Sequence, residues 1–323
     1  MPATLQQLVR VSSQQVEALC DFLEAMERDL AINPLLDRFG RSLDDLRVSL
    51  CAVPHEPVRD IDAIRAREHF RHMGLVTENG DADTAYKRIY DSRGGTFDDQ
   101  ETWSRPERLD AIEPQLEMAV LLGDPGSGKT EWLKYRARRA AREMGEQIER
   151  RAVSMDNLCL PVYVRLRDIA VVLQKDRDLS TLLVQSGCLM SPPGVLRDTE
   201  RLAAAILHVL LEQGLPRRLA PWVWQKLTAV RQTGAGAPAL LCLDGWDEVR
   251  SGQPELSWLA RVIQTFTRET SARLFLTSRI IRYDQSLLTD DKSTKGPRRE
   301  LQLCPYTWDE THTFVTHFFR EDP

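Results

Sequence analysis

Three glycines, a lysine and a threonine fall within eight consecutive positions, in the sequence GDPGSGKT at residues 123–130. The segment matches G-x-x-x-x-G-K-[S/T], the pattern of loops that bind the phosphates of a nucleotide. Glycines let the backbone curl so that successive N–H groups face an anion, and the start of a helix adds partial positive charge. We call residues 123–130 the phosphate loop. Its residues are all expected to contact or enclose the phosphates: Gly123, Asp124, Pro125, Gly126, Ser127, Gly128, Lys129 and Thr130.

Two side chains of this loop carry specific chemistry. Lys129 is expected to reach the β and γ phosphates, and the hydroxyl of Thr130 is expected to be one ligand of Mg²⁺. The guanine-reading N-K-x-D signature is absent from the chain, so ATP is preferred over GTP, although these motifs alone do not fix the base.

A second group of chemically able residues follows the apolar run at residues 239–243, in the sequence ALLCLDGWDEV. A carboxylate at the carboxyl end of a parallel strand can hold Mg²⁺ through its water shell, and Asp244 is that candidate. Asp247 and Glu248 can each orient or deprotonate an attacking water. The pattern leaves open which of the two is the base.

A third strand-like run, RLFLTSRI at residues 273–280, ends in a polar tip that contains Arg279. A guanidinium at this position can sense or neutralise the γ phosphate of a bound nucleotide. It can equally pair with a carboxylate of the protein and do nothing more.

Together, GDPGSGKT after an apolar strand, LCLDGWDEV and LFLTSR resemble the NACHT group of signal-transducing P-loop ATPases, over about residues 100–320. This group includes animal inflammasome receptors and many bacterial antiphage sensors, and the D-G-x-D-E form is its most distinctive element. The resemblance implies that Lys129 and Thr130 act on phosphate and Mg²⁺, Asp244 on Mg²⁺, and Asp247 or Glu248 on water. Arg279 would be a sensor of the nucleotide.

The resemblance also implies a task. The nucleotide state, ATP or ADP, would gate self-association, and the oligomer would activate an effector or adaptor recruited through residues 1–90, in bacterial antiphage immunity. Such proteins usually continue into a winged helix and repeats, so we expect this chain to be a fragment. A mechanical ATPase and a scaffold that never hydrolyses its nucleotide are the alternatives, and intact acidic residues after the strand weigh against the scaffold.

The candidate site residues must be positioned by strands and helices, which the sequence indicates as apolar runs alternating with helical patterns. Strands are predicted at residues 118–122, 160–166, 239–243, 273–278 and 301–303, with helices at 129–150, 179–184, 199–213 and 255–269. This alternation predicts an α/β fold, a parallel sheet covered by helices on both faces. The resemblance implies, more specifically, that residues 116–304 form a P-loop NTPase domain of the ASCE, AAA-like type. Residues 305–323 would then begin a further helical domain.

Residues 1–90 show helical spacing and no strand signal, and are predicted to form a small all-α domain, with a linker at residues 91–115. Helices are expected around residues 16–30, at 42–50 and at 57–73. No catalytic constellation occurs there, so a protein-interaction domain is preferred over a toxin enzyme.

Composition limits the remaining classes of function. A formal net charge of −5 argues against a general nucleic-acid binder. Six scattered cysteines without a CxxC pair, and no secretory signal, favour reduced thiols in the cytoplasm. The longest apolar stretch, residues 202–211, has half the length that a membrane span needs.

Overall fold

The computed structural model describes residues 13–31, 50–54, 106–150, 154–174, 179–193, 195–230, 238–249, 253–280, 283, 298–304, 311–312 and 315–316. Over these ranges the chain is an α/β protein. It divides into two compact units, each made of segments that are distant in sequence. The first contains Met1–Ala31, Leu133–Asp244 and Glu248–Leu274, and the second contains Ile32–Trp132, Gly245–Asp247 and Phe275–Pro323.

The strands of the described residues form one mixed, mostly parallel sheet in the order β2-β1-β7-β3-β6-β5-β4. β3 pairs with β7 and β4 with β5, both in parallel. β1 runs antiparallel to β2 and to β7, so the prediction of a wholly parallel sheet is wrong at this edge. The strands are β1 (Cys51–Pro54), β2 (Glu107–Arg108), β3 (Met118–Leu122), β4 (Leu160–Arg165), β5 (Ala239–Asp244), β6 (Arg273–Ser278) and β7 (Arg298–Leu303).

The helices described in the same ranges have the following bounds: α1 (Ser13–Ala31), α2 (Leu109–Ile112), α3 (Lys129–Glu149), α4 (Leu166–Gln174), α5 (Leu179–Gln185), α6 (Asp198–Glu212), α7 (Ala220–Thr228) and α8 (Gln253–Glu269). The four helices predicted after the phosphate loop are confirmed to within about two residues at each end, as α3, α5, α6 and α8. Sequence reading missed α4 and α7.

All five predicted strands are confirmed. β3 and β5 are buried at every position, which explains why they are continuous apolar runs rather than alternating ones. The polar segments that follow β3, β5 and β6 therefore each begin where a buried strand ends.

The prediction that residues 1–90 contain no strand is wrong at β1. Its partner β7 lies far along the chain, with Ala52 opposite Leu303, and Cys304 N–H donates to Cys51 O at 2.9 Å. Pairing over such a distance leaves no local signal in a four-residue run. The predicted helices at 42–50 and 57–73, apart from Leu50, and the predicted boundary near residue 90 lie outside the described residues.

α6 organises the helical layer of the first unit. It packs against α4, α5, α7 and α8, and its residues 202–207 are almost wholly buried. A helix surrounded by other helices is apolar all round, which accounts for the apolar stretch noted in the sequence. Among the described residues, no helix combines the length and the apolar character needed to cross a bilayer.

α1 is the amphipathic helix that spacing predicts, and it belongs to this same first unit. Its buried face includes Leu19, Phe22 and Leu23. A polar contact also connects α1 to this unit, since Arg142 Nε on α3 donates to Glu27 Oε1 on α1 at 3.0 Å. α1 therefore packs with residues that follow the phosphate loop in the sequence.

Candidate functional site

The phosphate loop connects β3 to α3 and belongs to the second unit. Gly126 and Gly128 adopt φ of +81° and +84°, a region that L side chains rarely occupy. Gly123 N–H donates to Ser278 O at 3.3 Å, which ties the start of the loop to the end of β6. The glycines thus have the conformational role that their spacing predicts.

The amino group of Lys129 lies within the curve of this loop. It donates to Gly123 O at 2.7 Å, to Asp124 O at 2.8 Å and to Ser127 Oγ at 3.1 Å. These three hydrogen bonds hold the Lys129 amino group on the inner side of the loop, and the side chain does not extend into solvent. Phosphate oxygens at this point would receive the same donor in charge-assisted hydrogen bonds.

The donors of the loop fit a nucleotide phosphate. Among the described residues, no acceptor is found for the N–H groups of Gly126 and Gly128. α3 is 21 residues long and begins at Lys129, so the positive end of its dipole lies at the loop. Within the described ranges, no group of three or more His, Cys, Asp or Glu side chains is placed to hold a metal ion.

The close approach at Gly123 gives a first prediction. A Cβ added there would lie 2.5 Å from Ser127 Oγ, which Lys129 also contacts. Gly123→Ala must displace Ser127, and we expect ATP affinity to fall about 10-fold, the worth of roughly one hydrogen bond to a charged group. The measurement is the equilibrium affinity for ATP.

Gly145→Ala is the matched control within α3. A Cβ at Gly145 meets no atom within 4 Å. Alanine in the interior of a helix should raise the free energy of unfolding by about 1 kcal/mol and leave ATP affinity unchanged. Wild-type ATP affinity in Gly123→Ala would refute the packing argument.

Asp244 ends β5 and belongs to the first unit, and the residue is only 8% exposed. The hydroxyl of Tyr163, on β4, donates to Asp244 Oδ2 at 2.9 Å. Burial first, and then the Asp244 carboxylate, raise the pKa of Tyr163 far above its ordinary value, while Arg165 acts in the opposite direction. Tyr163 therefore remains a protonated donor throughout the physiological range.

Sequence reading missed Tyr163. The only signal was that its hydroxyl is the one polar side-chain group in the run LPVYV at residues 160–164. Its contact follows from the parallel register of β4 and β5, in which Tyr163 lies opposite Cys242 and Arg165 opposite Asp244.

After Asp244 the chain turns sharply. Gly245 has φ of +80°, and its N–H donates to Thr277 Oγ1 at 2.9 Å. A short 3₁₀ helix, Trp246–Glu248, follows, anchored by the buried indole of Trp246. This turn gives Asp247 and Glu248 different surroundings.

Asp247 is bound to Arg279 within the second unit. Arg279 Nε lies 2.9 Å from Asp247 Oδ2, and Arg279 N–H donates to Asp247 Oδ1 at 3.1 Å. The Asp247 side chain is 10% exposed and that of Arg279 is 55% exposed. Both oxygens of Asp247 thus accept from Arg279, which makes Asp247 a poor candidate for the base and a good anchor for the guanidinium.

Glu248 is the more accessible carboxylate, with its side chain 49% exposed. Its Oε2 lies 3.3 Å from Arg167 Nη1, within the first unit. An ion pair between exposed side chains is worth little and is readily exchanged. Of the two acids between which the sequence left the choice open, Glu248 is better suited to approach a water.

Neither protein-family models nor curated proteins give a match to this chain.

Proposed function

We propose that this protein is a nucleotide-dependent signalling switch of the NACHT type, which binds ATP with Mg²⁺ and hydrolyses it slowly. The observation that carries the proposal is the geometry of the phosphate loop: Gly126 and Gly128 at positive φ, α3 beginning at Lys129, and the Lys129 amino group held inside the loop. These are the features that phosphate binding on a loop followed by a helix requires.

Each polar residue then has a role in the proposal. Lys129 donates to the β and γ phosphates, Thr130 is a ligand of Mg²⁺, and Asp244 holds the water shell of the ion. Mg²⁺ bound in this way neutralises charge on the phosphates. Glu248 orients and deprotonates the attacking water.

Arg279 is proposed as the residue that distinguishes ATP from ADP. Its guanidinium is anchored by Asp247 yet is more than half exposed, so it can also donate to the γ phosphate of ATP. ADP lacks this group. The two nucleotides would therefore differ in free energy of binding, which is the property that a two-state switch needs.

The biological setting is part of the same proposal. In it, the ATP form self-associates in the cytoplasm and activates an effector or adaptor through residues 1–90, with ADP favouring the closed form. The NACHT-type assignment covers residues 116–304 as a P-loop NTPase, with residues 91–115, which include β2 and α2, leading into it and residues 305–323 as the start of a helical domain. Antiphage immunity is the setting that the sequence resemblance favours.

Steady-state ATP turnover tests the proposal against its alternatives. A switch should hydrolyse ATP well below the enzyme median of about 10 s⁻¹, and nucleic acids or protein polymers should not stimulate it. Rapid, polymer-stimulated turnover would favour a mechanical ATPase. Saturable ATP binding with no turnover in the activated protein would favour the scaffold.

Arg279→Ala tests the sensor role. We expect the ratio of ADP to ATP dissociation constants to fall about 10-fold, because one hydrogen bond between charged groups is lost with ATP only. Isothermal titration with each nucleotide measures the ratio. Arg139→Ala is the matched control, because Arg139 is also an exposed arginine paired with a carboxylate, Glu143 at 2.8 Å. An unchanged ratio in Arg279→Ala would remove the sensor role.

A further inference from the structure

The hydrogen bond between Tyr163 and Asp244 joins two buried side chains on neighbouring strands. Tyr163 is 9% exposed and Asp244 is 8% exposed, and Tyr163 Oη lies 2.9 Å from Asp244 Oδ2. A carboxylate removed from water loses solvation, and a buried polar group without a partner is costly. The Tyr163 hydroxyl replaces part of the hydrogen bonding that water would give to the Asp244 carboxylate.

The donor is held rigidly. Val162 and Val164, on either side of Tyr163 in β4, are completely buried, and six consecutive residue pairs fix the register of β4 on β5. A tyrosine has only two side-chain torsions, so the strand and its packing set the position of the hydroxyl. A hydrogen bond to Oδ2 from a fixed donor restricts rotation of the carboxylate about its own Cβ–Cγ bond.

We propose that Tyr163 is a positioning residue that orients the Asp244 carboxylate for the water shell of Mg²⁺. The inference rests on the proposed function, since it needs Asp244 to hold the ion. Tyr163 does not touch nucleotide or metal in this role and acts only through Asp244. A water ligand of Mg²⁺ is a strong donor, and its bond to the aspartate depends on the direction of the carboxylate lone pairs.

Tyr163→Phe removes the hydroxyl and keeps the ring. The measurement is the affinity for a fluorescent ATP analogue as Mg²⁺ is titrated, which reports the metal without requiring turnover. We expect the Mg²⁺ concentration at half-effect to rise about 10-fold, because an Asp244 carboxylate that is no longer oriented would lose about one charge-assisted hydrogen bond from a water ligand of Mg²⁺. Affinity in EDTA should stay close to wild type, whereas the melting temperature without nucleotide should fall, because the buried Asp244 carboxylate loses a donor.

Tyr283→Phe is the matched control. The Tyr283 hydroxyl donates to another carboxylate, Glu300 Oε1 at 2.7 Å, and its removal should leave the Mg²⁺ midpoint unchanged. Asp244→Asn supplies the reference, because it should raise the midpoint strongly. In an Asp244→Asn background, Tyr163→Phe should have no further effect on the midpoint.

The outcomes distinguish a failure of the proposed function from a failure of the positioning role of Tyr163. If the wild-type protein binds no ATP analogue at any Mg²⁺ concentration, the proposed function fails. If the wild type binds and Asp244→Asn shifts the midpoint while Tyr163→Phe does not, the positioning role alone is overturned. A lower melting temperature with an unchanged midpoint would also overturn it, since that result means a structural role only.

Discussion

Replacing Lys129 with alanine is expected to weaken ATP binding at least about 100-fold. The amino group lies within the phosphate loop, 2.7 Å from Gly123 O and 2.8 Å from Asp124 O, and in the complex it would donate to two phosphates. Hydrogen bonds to charged groups contribute about 1.5–3 kcal/mol each, so the loss of two exceeds 100-fold in affinity. Equilibrium binding of ATP by isothermal titration measures the effect.

Lys134→Ala is the matched control for this change. It removes the same charge from the same helix, α3, outside the phosphate loop. ATP affinity should change less than about 3-fold, because Lys134 lies beyond residues 123–130 and is assigned no hydrogen bond to the phosphates. An unchanged ATP affinity in Lys129→Ala would refute the assignment of residues 123–130 as a nucleotide site.

Replacing Glu248 with glutamine is expected to lower the rate of ATP hydrolysis about 100-fold or more while ATP affinity stays near wild type. General-base catalysis typically contributes about 10²–10⁴-fold, and glutamine cannot accept a proton from water. The side chain is half exposed and glutamine has nearly the same size, so folding should be unaffected. Single-turnover hydrolysis and equilibrium binding, measured on the same preparation, separate the two quantities.

Asp247→Asn distinguishes the two neighbouring acids. Both oxygens of Asp247 accept from Arg279, so this variant should resemble Arg279→Ala and weaken the discrimination between ATP and ADP. Its loss of hydrolysis should be smaller than that of Glu248→Gln. If Asp247→Asn instead shows the larger loss, Asp247 is the base and the assignment of the pair is reversed.

Much of the fold is predictable because its strands are buried. β3 and β6 have the bounds that their apolar runs predict, and the predicted β5 run is extended only by Asp244. A buried parallel strand needs an uninterrupted apolar run, which is a local property of the sequence. β1 could not be found in this way, because its four residues become a strand only by pairing with β7.

In the candidate site, too, local features are predictable from the sequence and contacts between distant segments are not. Residue types and spacing predict the phosphate loop, because glycine conformation and the start of α3 are local. Tyr163 could not be predicted, since its contact with Asp244 depends on the register of two strands that are far apart in sequence. The sequence left two roles open for Arg279, a sensor of the nucleotide and a partner of a carboxylate. The structure shows the ion pair with Asp247, and the exposed guanidinium is still compatible with the sensor role.

The mass of the Glu248→Gln protein in solution, measured by sedimentation velocity with saturating Mg²⁺–ATP and then with saturating Mg²⁺–ADP, tests the central claim most directly. This variant is chosen because it should hold ATP without consuming it. We expect a larger assembly with ATP than with ADP, and no such difference in Lys129→Ala. The same mass with both nucleotides, at concentrations shown to saturate the site, would contradict a switch that signals by self-association.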